Sequence, residues 1–241
     1  MKKLIKDFIR GQPALYDALK AVKRRLHGAP DLQYDWFDRF SRSQGEVRFV
    51  QIGASDGLRN DPVREFIVRD GWQGVLIEPL PDVFELLKRN YAGRRGLQFL
   101  NAAIAKQEGS LSFWTFQPQF LQRLSEEERL EYLRKASFDK EHVCKFLQGQ
   151  PQTVLREIQV PCRTLTSVVR DYLPQGLDLL VIDAEGHEPQ IIRSIDFTAV
   201  RPKAVFFESH HIMDQLPGLV SIFEAEGYRV EQIGGDSVAT R

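Results

Sequence analysis

From Val47 onward, short apolar runs alternate with stretches whose apolar residues recur every three or four positions. The runs 47–52, 74–78 and 97–100 have the length of buried strands, and 62–68 and 82–90 carry the stripe of amphipathic helices. Pro62 suits the first turn of one helix and Gly71 stops it; Asp82, after Pro81, is placed to cap the next. Three successive strand–helix units predict a parallel sheet with right-handed crossovers. The rhythm breaks over 107–163. There a turn at Glu108-Gly109-Ser110 leads to a strand at 111–116, a polar helical stretch from Leu121 to Leu147, and a strand at 156–163. A helix at 167–172, strand 177–183, helix 190–195, strand 204–208, helix 219–226 and a last strand, 228–233, restore the alternation. Upstream, residues 1–27 read as two short amphipathic helices about Gly11 and Pro13, and 31–40 as another that ends before Gly45. The expected architecture is an α/β domain over 46–241 with a mostly parallel sheet and helices on both faces. A helical extension (1–45) precedes it and an insertion (about 117–157) interrupts it.

Composition narrows the class. Apolar residues make up 42% and charged residues 27%, as in an ordinary globular chain, and Lys plus Arg balances Asp plus Glu at 33 each. That balance argues against a nucleic-acid partner, which favours a basic surplus. Two cysteines, Cys144 and Cys162, in a chain with core enough of its own read as reduced thiols. There is neither a secretory signal nor an apolar run of membrane-spanning length, so the expected location is cytoplasmic. The first 27 residues are distinctly basic, and a solvated helix face is the simplest reading of them. Peripheral contact with an anionic membrane surface is the alternative.

The polar residues that break the pattern fall where strands end. Gly53-Ala54-Ser55-Asp56-Gly57 follows the first strand, Glu78 the second, Asn101 the third, Asp183 to His187 a later one, and Glu208 to His211 the next. In open α/β sheets that edge is where ligands bind. A glycine turn after one strand and a carboxylate ending the next suit a nucleoside, with its ribose hydroxyls on the acid. The turn lacks both the three-glycine spacing for a pyrophosphate and a phosphate-loop lysine. The favoured ligand therefore has a nucleoside and no phosphate, which fits S-adenosylmethionine. A nicotinamide oxidoreductase is disfavoured for the same reason.

The segments Phe49 to Gly57, Ile77-Glu78-Pro79, Leu100 to Ala105, Arg163-Thr164-Leu165, Leu179 to Glu188 and Val205 to His210 occur in this order. Together they resemble the FkbM family of S-adenosylmethionine-dependent methyltransferases. The resemblance implies a class I, Rossmann-like methyltransferase fold and O-methylation of a sugar, glycoconjugate or secondary-metabolite hydroxyl. Two positions depart from it: the family often has an acid where Gln51 stands and a lysine where Val181 stands.

The cofactor-facing set expected from these motifs is Gln51, Gly53, Ala54, Ser55, Asp56, Gly57, Glu78, Pro79, Asn101, Ala102 and Asp183. Gln51 would meet the methionine ammonium, the glycine turn would lie against methionine and ribose, Glu78 would take both ribose hydroxyls, and Asn101 and Ala102 would border the adenine. Methyl transfer to an alcohol also needs the hydroxyl proton removed. His187 and His210 lead as bases because imidazole titrates near neutrality, with Asp183, Glu185 and Glu208 as further candidates that orient the acceptor or a histidine. Carboxylates and a histidine could hold a divalent cation, but there is no ligand spacing such as H-E-x-x-H, and a metal is not favoured. Within the insertion, Ser137, Phe138, Asp139, Lys140 and His142 are the expected acceptor contacts. The second reading, motivated by Gln51 and Val181, is an inactive module that keeps the fold as a binding partner.

Overall fold

The computed structural model describes residues 12–27 and 31–241. The helix expected before Gly11 lies outside them. Helix α1 (Pro13–His27) is tied to the body by its cations: Arg24 pairs with Glu65, and Lys20 donates to the Asp61 carbonyl. In α2 (Leu32–Gln44) the Asp31 carboxylate accepts from the Tyr34 N–H, and Gly45 ends the helix at φ 75°. Its Trp36 and Phe37 are buried against the sheet residue Phe206, at ring distances of 5.6 and 4.7 Å.

Strand β1 (Arg48–Ile52), α3 (Arg64–Asp70), β2 (Gln73–Ile77), α4 (Pro81–Asn90) and β3 (Leu97–Leu100) follow as expected, with two differences at the caps. Pro62 precedes α3, and Pro81 is itself the first residue of α4, so Asp82 sits inside that helix instead of capping it. Strands β4 (Ala103–Ile104), β5 (Gly109–Phe116) and β6 (Leu155–Arg163) make a separate three-stranded sheet in the order β4-β6-β5. The helical stretch between β5 and β6 is three short helices, α5 (Pro118–Leu121), α6 (Glu126–Leu133) and α7 (Lys140–Cys144), where the sequence suggests one run. Two fresh N-caps divide it: Ser125 forms a capping box with Glu128, and the Asp139 carboxylate accepts from the Glu141 N–H. The insertion has its own apolar core, in which Phe113, Phe116, Leu133, Val143 and Val160 are buried together.

After α8 (Leu165–Tyr172) come β7 (Leu179–Ile182), α9 (Glu188–Arg193), β8 (Ala204–Glu208), α10 (Leu216–Ala225), β9 (Arg229–Ile233) and β10 (Asp236–Thr240). The seven-stranded sheet runs β3-β2-β1-β7-β8-β10-β9, and β10 alone runs opposite to the other six strands. Because β-strand side chains alternate, Val50, Ile52, Leu180, Ile182, Val205 and Phe207 face α8, α9 and α10. Phe49, Leu179, Val181 and Phe206 face α2, α3 and α4. Strand order reverses between β1 and β7. No helix among the described residues is long and apolar enough to cross a membrane.

Phe37 is fully buried between helix and sheet, so Phe37→Ala should cost about 3–5 kcal/mol in urea unfolding. Leu111, 44% exposed on β5, should tolerate alanine within about 0.5 kcal/mol. Equal losses for the two variants would contradict this placement of the core.

Candidate active site at the β1–β7 crevice

The chain ends β1 in a turn that only glycine can make. Gly53 has φ 77°, and a Cβ there would lie 1.7 Å from the Asp183 carbonyl oxygen at the end of β7. The Gly53 and Ala54 N–H groups both donate to the Ile77 carbonyl (3.0 and 2.9 Å), which ties the turn to β2. Beside it opens a cleft with about 660 Å³ of empty space, its mouth included. Gly53, Ser55, Glu78, Arg134, Asp183, Glu185 and His187 are among its polar residues, and Leu80, Ile104, Phe113, Leu133 and Phe138 are among its apolar walls.

Glu78 is buried, with 6% of its surface exposed. Its two oxygens accept from the Ser55 N–H (3.0 Å) and the Leu80 N–H (2.9 Å). Burial pushes its carboxyl up to about 7; the two backbone donors pull it down, and the charges of Asp183 and Asp56 push it further up. Ser55, at φ 49°, lines the cleft with a buried hydroxyl that has no hydrogen-bond partner among the described residues. Asn101 holds the following turn by donating to the Glu78 and Pro79 carbonyls (2.8 and 3.0 Å).

The acceptor end is crowded with carboxylates. Asp183, which lines the cleft, is raised to about 6 by burial and by the charge of Glu185. Glu185, at φ 48°, lies between Lys135 Nζ (2.7 Å) and His142 Nε2 (3.1 Å). Burial works against its ionisation, but the His142 hydrogen bond and the Lys135 charge outweigh that and hold it below its ordinary value. Glu188 is fully buried, accepts from the Ala184 and Gly186 N–H groups (2.6 and 3.0 Å), and is raised by burial to about 7. Glu208 rises to about 9 through burial and the charges of Asp183, Glu185 and Glu188.

Of the residues expected from sequence, the fold gathers Gly53, Ser55, Glu78, Pro79, Ala102, Asp183, Glu185 and His187 on one cleft. Five others of the cofactor set do not line it. Gln51 is a correction: its side chain points to the opposite face of the sheet and donates to the buried Asp61 (3.3 Å). The Asp56 carboxylate is occupied by the Leu58 and Arg59 N–H groups and by the Arg59 side chain. Gly57 approaches Leu87 and Tyr91, Ala54 joins the core that Phe49 belongs to, and Asn101 acts through the turn it braces. Glu208 and His210 stand outside the lining, beyond Asp183.

In the insertion, Phe138 reaches the cleft, with its ring 4.5 Å from that of His187. Ser137 instead donates to the Glu185 carbonyl, Asp139 caps α7, Lys140 lies over Trp114, and His142 holds Glu185. Sequence reasoning missed Arg134 and Lys135, and the wall residues Leu80, Val83 and Ile104. Arg134 and Lys135 come to the site at the end of α6 and Ile104 through the second sheet, while Leu80 and Val83 reach it from the start of α4.

A doubly wound sheet with one antiparallel strand near its edge, and a buried acid ending β2 beside a glycine turn, defines a class I methyltransferase fold. A family model described as "Methyltransferase FkbM domain" matches residues 51–230, and the chain belongs to that family. Among solved structures, the chain is similar to a methyltransferase FkbM from Methylobacillus flagellatus (12% identity, 82% of this chain and 44% of that one, TM-score 0.47). It is also similar to a putative caffeoyl-CoA O-methyltransferase from Staphylococcus aureus (10% identity, 100% and 98%, TM-score 0.47). A third likeness is to precorrin-6y C5,15-methyltransferase from Geobacter metallireducens (12% identity, 86% and 87%, TM-score 0.43). No curated protein matches the chain significantly.

Gly53→Ala drives a Cβ into the Asp183 carbonyl and should cost more than about 2 kcal/mol of stability. Gly71→Ala, at φ 71° with open space around it, should cost only about 1–2 kcal/mol, the left-handed backbone penalty. Urea unfolding of both variants checks this; a Gly53→Ala protein as stable as the wild type would refute the close approach.

Proposed function

We propose that the protein transfers the methyl group of S-adenosylmethionine to a hydroxyl of a sugar, glycoconjugate or secondary metabolite. The observation that carries this reading is Glu78, a buried carboxylate that lines the crevice and is fixed by two backbone donors, next to the uncommitted Ser55 hydroxyl. Each Glu78 oxygen keeps a lone pair for a ribose hydroxyl, and Ser55 offers a further polar contact. The residues present therefore fit a nucleoside. When bound, S-adenosylmethionine supplies a sulfonium methyl open to in-line displacement.

The chain itself must position the acceptor, exclude water and take a proton. Asp183 is suited to taking the proton. Its carboxyl faces the cleft and accepts no hydrogen bond from the described residues, and burial lifts its basicity toward neutrality. His187 is a poorer base than the sequence suggests, because burial lowers its pKa to about 4. Packed on Phe138, it serves as a wall of the acceptor side. The inactive-module reading rests on Gln51 and Val181, and both point to the face of the sheet away from the cleft.

Glu78→Ala should weaken S-adenosylmethionine binding at least tenfold in calorimetry, as expected for hydrogen bonds to a charged group. The ionised carboxylate is the form that accepts two hydroxyls, and its pKa lies near 7. Wild-type affinity should therefore fall as pH drops from 8 to 6, and Glu78→Gln should flatten that dependence. Unaltered affinity in Glu78→Ala would remove Glu78 from the site. The acceptor class is tested by transfer of labelled methyl into a panel of nucleotide-sugars, oligosaccharides and hydroxylated metabolites. One member should be labelled, with more than tenfold loss of turnover in Asp183→Asn; labelling of amines alone would overturn the hydroxyl reading.

A further inference from the structure

The end of β8 carries Glu208, His210 and His211, three residues to which methyl transfer assigns no role. Their ligating atoms all lie within 4.8 Å of one another. His210 Nδ1 stands 3.4 Å, and His211 Nε2 4.0 Å, from the same oxygen, Glu208 Oε1. Both separations exceed an ordinary hydrogen bond. Two ligands of one tetrahedral ion with bonds of about 2.0–2.1 Å sit about 3.3 Å apart. The first distance already fits, and a side-chain movement of about 0.7 Å brings the second to the same value.

We propose that Glu208, His210 and His211 form a binding site for a divalent first-row transition-metal ion. Two imidazoles and one carboxylate suit such ions, and three protein ligands leave positions open for an acceptor oxygen. The loop is held in place before any ion arrives. The Ser209 and His210 N–H groups donate to the Gly235 carbonyl (3.3 and 2.9 Å), and the Ser237 hydroxyl donates to that of Ser209 (2.9 Å). The His210 ring lies on Gly235, where a Cβ would come within 3.6 Å of Nδ1. From the insertion, His142 and Phe146 meet the His211 ring edge-on at 5.2 and 6.1 Å.

The charge around the site also favours a cation. The second Glu208 oxygen is buried without a hydrogen-bond partner among the described residues, and carboxylate oxygens of Asp183 and Glu188 lie within 4.8 Å of one of Glu208. The nearby Lys135 is taken by Glu185. Glu208-Ser209-His210-His211 is contiguous in the sequence, but the neighbouring carboxylates of Asp183 and Glu188 are brought to it only by the fold. The role of the ion rests on the methyl-transfer reading: beside Asp183, it would bind the acceptor hydroxyl and lower its pKa.

The test uses tag-free, chelator-treated protein titrated with Co2+, followed by visible d–d absorption and calorimetry, with Zn2+ as competitor. One equivalent of Co2+ should bind and be displaced by Zn2+. His211→Ala and Glu208→Gln should each weaken Co2+ binding at least tenfold, while Cys144→Ser, which removes an alternative thiol ligand, should leave it unchanged. Thermal melts and S-adenosylmethionine calorimetry establish that each variant is folded. Absence of Co2+ binding, undiminished binding in His211→Ala and Glu208→Gln, or its loss in Cys144→Ser would overturn the site. Wild-type protein that binds Co2+ but not S-adenosylmethionine would leave the site standing and count against the methyl-transfer reading.

Discussion

Gly53 has no side chain, and the Asp183 carbonyl occupies the space where one would begin. That contact lets β1 and β7 close on each other at the point where strand order reverses, and the rest of the crevice follows from it. The turn after Gly53 puts the Ser55 N–H on Glu78, so the end of β2 is fixed relative to β1. The same approach leaves Asp183 facing the cleft from the other side. Three strand ends are thereby locked into one wall, by the Gly53 and Ala54 N–H groups on the Ile77 carbonyl, by the Gly53–Asp183 approach and by the Glu78 carboxylate on the Ser55 N–H. Ser55 and Glu185, both non-glycine residues at positive φ, flank this junction, as strained residues do where surrounding structure over-determines them.

The electrostatics of the site follow from the same crowding. Asp183, Glu188 and Glu208 come from β7, α9 and β8 and share a region too buried to ionise all of them freely. The fold offsets this unevenly. Glu188 receives two N–H groups and Glu185 receives Lys135 and His142, whereas among the described residues none donates to Asp183 or to the second oxygen of Glu208. Donors thus go to the carboxylates that brace the loop. The uncommitted oxygens are the ones that a substrate proton or a cation can use. Water is kept from the opposite side by Leu80, Ile104, Phe113 and Leu133.

Most of the sheet is legible in the sequence because its strands are short, buried and apolar. β10 is not: in Asp-Ser-Val-Ala-Thr only Val238 and Ala239 are apolar, too few for a strand signal. The insertion reads as one helix because polar composition hides new N-caps at Ser125 and Asp139. Glycines and acids at strand ends locate the cleft, but not which way each side chain faces. Gln51 shows the limit. It pairs in register with Val181, so the acid and the lysine that the family resemblance leads one to expect at these positions would face each other. Both charges are missing together here, which leaves neither a lone acid nor a lone lysine buried at these two positions. The two departures are one neutral substitution behind the sheet, and the site in front is untouched by them. Arg134 and Lys135 escape sequence reasoning because only tertiary packing brings them near.

The central claim is that Glu78 and the turn around Gly53 hold a nucleoside cofactor at the β1–β7 crevice. A crystal structure of the protein soaked with S-adenosylhomocysteine tests it most directly. Electron density is expected in the cleft, with both ribose hydroxyls within hydrogen-bond distance of the Glu78 carboxylate. Density for the same molecule elsewhere on the protein, or in the cleft with the ribose turned away from Glu78, would contradict it.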